Sequence, residues 1–192
     1  MDAKVAVEGI RSQGYARVVT FLGFAGAGYE YPDQVEKILL SELENFDPTD
    51  TIVCAGATAE GIGMVYRLAA MKGFRTVGVV SSIAREQGVK FSAECEGVFV
   101  VNDDTWGGRR ADGRLSPTSQ AMVDTSDVMI GIGGGSIAKD ELEEGLRTDK
   151  TIRFYKADMD HARAKLKAAK AGKPVPVHFD GAAQTLFKES CR

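Results

Sequence analysis

The sequence predicts an α/β fold: a three-layer, doubly wound, mainly parallel sheet with helices on both faces. Three observations predict it. Short runs rich in β-branched and aliphatic residues recur along the chain, and each gives way to a stretch with apolar residues at helical spacing. The runs lack the in–out alternation of a half-solvated strand, so they read as strands buried on both faces. Glycine clusters follow several of them, where a strand turns into a helix.

Taken in order, Arg17 to Gly23 (RVVTFLG) is the first strand. Pro32 to Asn45 is an amphipathic helix, with Val35, Ile38, Leu39 and Leu43 on one face and Pro32 tolerated in the first turn. Thr51 to Ala55 is the second strand, and Gly61 to Lys72 a helix ended by Gly73. Arg75 to Val80 is the third strand, followed by a short helical stretch near Ser82 to Gln87 and a strand from Gly97 to Val101. A polar loop runs from Asn102 to Leu115. Then come a helix near Ser116 to Asp124, a strand from Asp127 to Ile132 and a helix from Ile137 to Arg147. Thr151 to Tyr155 makes a sixth strand, Met159 to Ala171 a basic amphipathic helix, and Val175 to Ser190 a short strand with a closing helix. Met1 to Ala16 mixes charge with small residues and is assigned no element. No repeat or linker interrupts this alternation, so residues 1–192 read as a single domain.

Composition narrows the function classes. A net charge of -3 argues against a nucleic-acid partner or an anionic membrane surface. No run approaches the length of a membrane span, and the first residues hold no apolar signal region, so a cytoplasmic protein is expected. Cys54, Cys95 and Cys191 are scattered without a CxxC pair, and Cys54 reads as a small buried hydrophobe. His161 and His178 have no Asp or Cys at ligand spacing and read as surface or structural residues. No metal is expected, and the two tail histidines give no nucleophilic triad.

The chemistry lies in the glycine clusters, which fall at the carboxyl ends of strands, where such sheets bind ligands. They are GFAGAG (Gly23, Gly26, Gly28), AGATAEGIG (Gly56, Gly61, Gly63) and GIGGGS (Gly131, Gly133, Gly134, Gly135). Glycine lets backbone N–H groups approach a ligand, and a following helix N-terminus favours negative charge. A nucleotide-type small molecule with a phosphate is the expected partner. There is no GxxxxGK[ST] and no GxGxxG, which disfavours a P-loop NTPase and a nicotinamide dehydrogenase; no resident cofactor is expected.

From about Val18 to Leu146 the chain resembles the Lonely-Guy family, often labelled lysine decarboxylase, within the SLOG superfamily of Rossmann-like nucleotide binders. The motifs that carry it are Gly23-Phe24-Ala25-Gly26-Ala27-Gly28, the loop from Ala55 through Gly56, Ala57, Thr58 and Gly61 to Gly63, and the late Gly131 to Ser136 followed by Asp140-Glu141. The resemblance implies that the late glycines hold a nucleoside 5′-monophosphate and that a following carboxylate assists cleavage of its N-glycosidic bond. Glu141 matches that carboxylate, or Asp140 if the match shifts by one residue. A homodimer is implied in the same way. The family's arginine, about nine residues before the late Ser-Asp, has no counterpart: Thr118 and Ser119 stand there, and the family's proline is replaced by Ile132 or Gly133.

The resulting candidates are Glu141 and Asp140 for catalysis. For ligand and phosphate they are Gly26, Ala27, Gly28, Gly56, Ala57, Thr58, Gly61, Gly133, Gly134, Gly135 and Ser136. Thr58 and Ser136 are hydroxyl donors at helix starts, or plain N-caps. In the long loop, Trp106 is a candidate to stack on a base or to anchor the loop, and Arg109 and Arg114 are candidates to pair with a phosphate. Asp103 and Asp104 are candidates for a ribose hydroxyl. Tyr29, Glu30 and Tyr31 either line the pocket mouth or cover the first helix. The basic residues from Arg163 to Lys173 read as a solvated helix face. The functions these features point to are hydrolysis of a nucleoside monophosphate, ligand sensing without catalysis, or nucleoside deoxyribosyl transfer.

Overall fold

The structure, a computed structural model, describes residues 1–187. Six parallel strands form one sheet in the order β4-β3-β2-β1-β5-β6. They are β1 (Arg17–Gly23), β2 (Thr51–Ala55), β3 (Arg75–Ser81), β4 (Gly97–Val101), β5 (Val128–Ile132) and β6 (Thr151–Tyr155). The helices are α1 (Ala3–Arg11), α2 (Pro32–Leu43), α3 (Met64–Met71), α4 (Ser82–Glu86), α5 (Pro117–Thr125), α6 (Ser136–Arg147) and α7 (His161–Lys170).

The strands alternate their side chains between two cores, and this places helices on both faces. Val19 and Phe21 point toward Val35, Leu39 and Leu43 of α2 and Val65 and Leu68 of α3. Val18 and Leu22 point the other way, toward Ala6 and Ile10 of α1, Met122 of α5 and Leu142 of α6. At the far end of β5, Asp127 accepts from the Val18 N–H at 2.7 Å and from both ends of the Arg11 guanidinium at 2.8 Å. That pairing fixes α1 against the start of β1.

Three local expectations differ from what is found. Met1 to Ala16 contains α1, capped by Asp2 through the Val5 N–H. The helix expected from Gly61 begins as a 3-10 turn, Gly61–Gly63, and becomes α only at Met64. The tail holds no strand among the described residues; its regular element there is a 3-10 turn, Ala183–Phe187, and Lys188 to Ser190 of the expected helix lie outside them. Pro174 and Pro176 lack the N–H a strand must donate.

Candidate functional site

Strand order reverses between β1 and β5, whose following helices, α2 and α6, lie on opposite faces of the sheet. Loops that part in this way open a crevice at the carboxyl edge. Phe24, only 4% exposed, is packed among the loops at this edge. The Ile62 N–H donates to the Phe24 carbonyl at 2.7 Å, and Gly61 lies so close that a β-carbon would collide with the Phe24 and Ala25 carbonyls. From the other side, a β-carbon on Gly133 would come within 2.6 Å of the Phe24 ring, and one on Gly134 within 3.6 Å of Gly23 Cα. The three glycine clusters therefore share one rim.

Two buried tyrosines hold that rim in shape. Tyr29 Oη accepts from the Phe24 N–H at 3.2 Å and donates to the Ile132 carbonyl at 2.9 Å. Tyr66 Oη accepts from the Ala57 N–H at 2.9 Å and donates to the Val77 carbonyl at 3.0 Å. Each hydroxyl thus ties the loop after one strand to a neighbouring strand. Burial pushes both above the ordinary tyrosine range, so both remain protonated donors. Ala57 is held in the left-handed region, φ 52°, while fully buried. For a residue with a β-carbon that conformation costs on the order of 1 kcal/mol. Tyr66 was not among the sequence candidates; its only signal is a hydroxyl inside an otherwise apolar helix face.

The loop candidates divide by exposure. Gly26 and Gly56 are exposed, and Ala27, Thr58 and Gly61 are half-buried. Gly28 is buried and closes a turn by donating to the Ala25 carbonyl at 2.9 Å, and Ala57 is buried as described. Thr58 bonds locally, its hydroxyl accepting from the Glu60 N–H at 3.3 Å. In the late loop Gly133 packs against Phe24 and the Ala157 carbonyl, and Gly134 lies beneath the tail. The Ala183 N–H donates to the Gly134 carbonyl at 3.1 Å, and Gly181 packs on the Phe24 ring. Gly135 is the N-cap of α6, and Ser136 is its exposed first residue rather than the cap. Gly26, Gly56 and Ser136 are the exposed ones, and Gly135 is half-buried with open space where a β-carbon would stand.

The two candidate acids are taken up by the long loop and α5. Glu141 is buried, and Ser119 Oγ donates to its Oε1 at 2.6 Å while accepting from the Gly108 N–H at 2.7 Å. Burial raises the Glu141 carboxyl to about 7; Ser119 pulls it down, and neighbouring Asp140 pushes it further up. Asp140 accepts from the Arg109 N–H at 2.8 Å. Both acids thus fasten the long loop, from Asn102 to Leu115, to α5 and α6.

The loop's own side chains are largely engaged. Arg109 donates to Glu143 at 3.0 Å and to Glu144 at 3.3 Å along α6. Arg114 pairs with Asp112 and borders a separate cavity of about 480 Å³ beside the start of α1, to which none of the three glycine clusters contributes. Trp106 is half exposed, next to Gly107, which packs on Ile137 of α6. Asp103 is buried. Burial opposes its ionisation, but the Thr118 N–H and the Thr105 hydroxyl hold its carboxyl at about 2. It is committed to starting α5.

Solved structures share this architecture. That of TM1055 aligns with a TM-score of 0.52 over 71% of this chain and 72% of that one, at 16% identity. The molybdenum cofactor carrier protein from Chlamydomonas reinhardtii aligns in two structures. One gives a TM-score of 0.52 at 13% identity over 81% and 85% of the two chains, the other 0.51 at 16% identity over 72% and 75%. The chain shares with them a parallel, three-layer Rossmann-like α/β fold. At these identities the likeness is one of fold. Family models give no match, and neither do the curated proteins. Among the described residues no helix is long and apolar enough to cross a membrane.

Proposed function

We propose that this chain binds a phosphate-bearing, nucleotide-type small molecule at the mouth formed by Gly26, Gly56, Gly135 and Ser136, and that it binds without cleaving it through Glu141. One observation carries the reading. Of the 22 glycines, Gly26, Gly56 and Gly135 alone combine open space where a β-carbon would stand with a backbone φ outside the left-handed region. Neither sterics nor backbone conformation requires glycine at these positions. At Gly26 and Gly56, neither of which caps a helix, alanine would stabilise the chain by about 0.4–1 kcal/mol. The three positions fall one in each cluster at the carboxyl edge. A ligand drawn close to the backbone accounts for all of them at once. The N-terminus of α6, opening at Gly135 and Ser136, supplies the partial positive charge that suits a phosphate.

Binding is favoured over hydrolysis or deoxyribosyl transfer because both reactions need a carboxylate at the sugar. Glu141 is buried on Ser119, and Asp140 caps the Arg109 N–H. The fold neighbour that carries the molybdenum cofactor fits a carrier or sensor role in this architecture. Assembly as a homodimer belongs to the same reading.

Calorimetric titration with AMP, IMP, CMP and GMP, alongside chromatography for free base, tests it. Saturable binding without base release is expected. Ser136→Asp puts a carboxylate where the helix end tolerates it, so the melting temperature holds while affinity falls at least about tenfold. Release of free base, abolished in Glu141→Gln, would establish hydrolysis instead.

A further inference from the structure

Resting on that site, we propose that Arg163 of α7 is the side chain that pairs with the ligand's phosphate, and that Glu60 competes with the phosphate for it. The mouth as described offers backbone N–H groups and a hydroxyl but no committed cation. The other nearby arginines are engaged elsewhere: Arg109 by Glu143 and Glu144, and Arg110 by Asp103 and Asp104.

Arg163 is placed differently. Its guanidinium lies against the first cluster, Nη1 standing 3.4 Å from where a Gly28 β-carbon would be, and it donates to Glu60 Oε2 in the second loop at 2.7 Å. It therefore joins the loops that carry Gly26 and Gly56. The helix bearing it buries no residue of its own. Hydrogen bonds hold its start in place: Asp160 N–H to the Gly28 carbonyl at 3.4 Å, and His161 N–H to Glu30 Oε2 at 2.8 Å. A polar helix moored at its first turn to the early glycine loop positions a side chain there without forming core.

The Arg163–Glu60 pair is easily exchanged. Both partners are more than half exposed, 52% and 60%, and such pairs contribute little net stability. A phosphate dianion offers the same guanidinium stronger, two-point hydrogen bonding. Asp160, one turn earlier on the same helix, lies 3.6 Å from Arg163 Nε and steadies the side chain from behind, so Glu60 is the competitor that the phosphate displaces.

The experiment compares a nucleoside 5′-monophosphate with its nucleoside, using AMP, IMP, CMP or GMP, whichever binds wild type tightest. Arg163→Gln should weaken the monophosphate about tenfold or more while leaving the nucleoside within about twofold. Glu60→Gln should tighten the monophosphate by about two- to fivefold. Arg163→Lys should recover only part of the loss. Unchanged monophosphate affinity in Arg163→Gln, with Ser136→Asp still disabling it, overturns the arginine's role and leaves the site standing. A wild-type chain that binds none of the monophosphates overturns both.

Discussion

The hydroxyl of Tyr29 donates to the carbonyl of Ile132 at 2.9 Å, across the point where strand order reverses. This bond spans 103 residues of sequence and joins the loop after β1 to the end of β5. Tyr29→Phe removes it and leaves the Ile132 carbonyl and the Phe24 N–H buried without their partner. The expected loss is about 1–3 kcal/mol, or about 2–10 °C in melting temperature, with weaker monophosphate binding as the loops part. Thermal melts and titrations of this one variant check both effects.

Glu141 gives the protein a pH dependence on the neutral side. Its folded-state value, about 7, lies above the ordinary 4.5, so the folded state holds the proton more tightly. The stabilisation is whole below pH 4.5 and is lost as pH rises through 7. Glu141→Gln keeps an acceptor for Ser119 and has no proton to lose. It should melt higher than wild type at pH 8, by on the order of 1–3 kcal/mol, with the gap closing toward pH 5. A melting series across that range measures it.

Asp103 acts on the acid side with the opposite sign. Its folded-state value of about 2 lies below the ordinary 3.8, so its contribution is present above pH 3.8 and disappears as pH falls through 2. Asp103→Asn should be destabilised at pH 7 and approach wild type as the acid range is entered. Circular dichroism of both proteins between pH 7 and 2 shows whether the curves converge.

The sheet was legible because its strands are buried on both faces. Val19, Phe21 and Val53 serve one core, Val18, Leu22 and Ile52 the other, so the runs are apolar throughout. Helix α1 was hidden because Ala6 and Ile10 are its only buried residues. Gly9 further weakens its helical look, and a β-carbon there would come within 2.8 Å of the Phe99 ring.

The site was half legible. That the clusters meet follows from topology, since loops after parallel strands leave from one edge. Which glycines face outward does not follow, because Gly134 is covered by Gly181 and Ala183, nearly 50 residues on, and Gly133 by Phe24 and Ala157. Glu141 looks like a helix-face carboxylate in sequence. Its burial depends on Ser119, 22 residues earlier on another helix. Arg163 reads as one cation among several until the pairing with Glu60, 103 residues away, sets it apart.

The double variant Gly26→Ala/Gly56→Ala, melted and titrated with the best-bound nucleoside monophosphate, tests the central claim most directly. Two methyl groups placed in open space should leave the melting temperature level or raise it, by about 0.4–1 kcal/mol per site, while monophosphate affinity falls several-fold. Wild-type affinity in that variant would mean that no ligand lies against these loops.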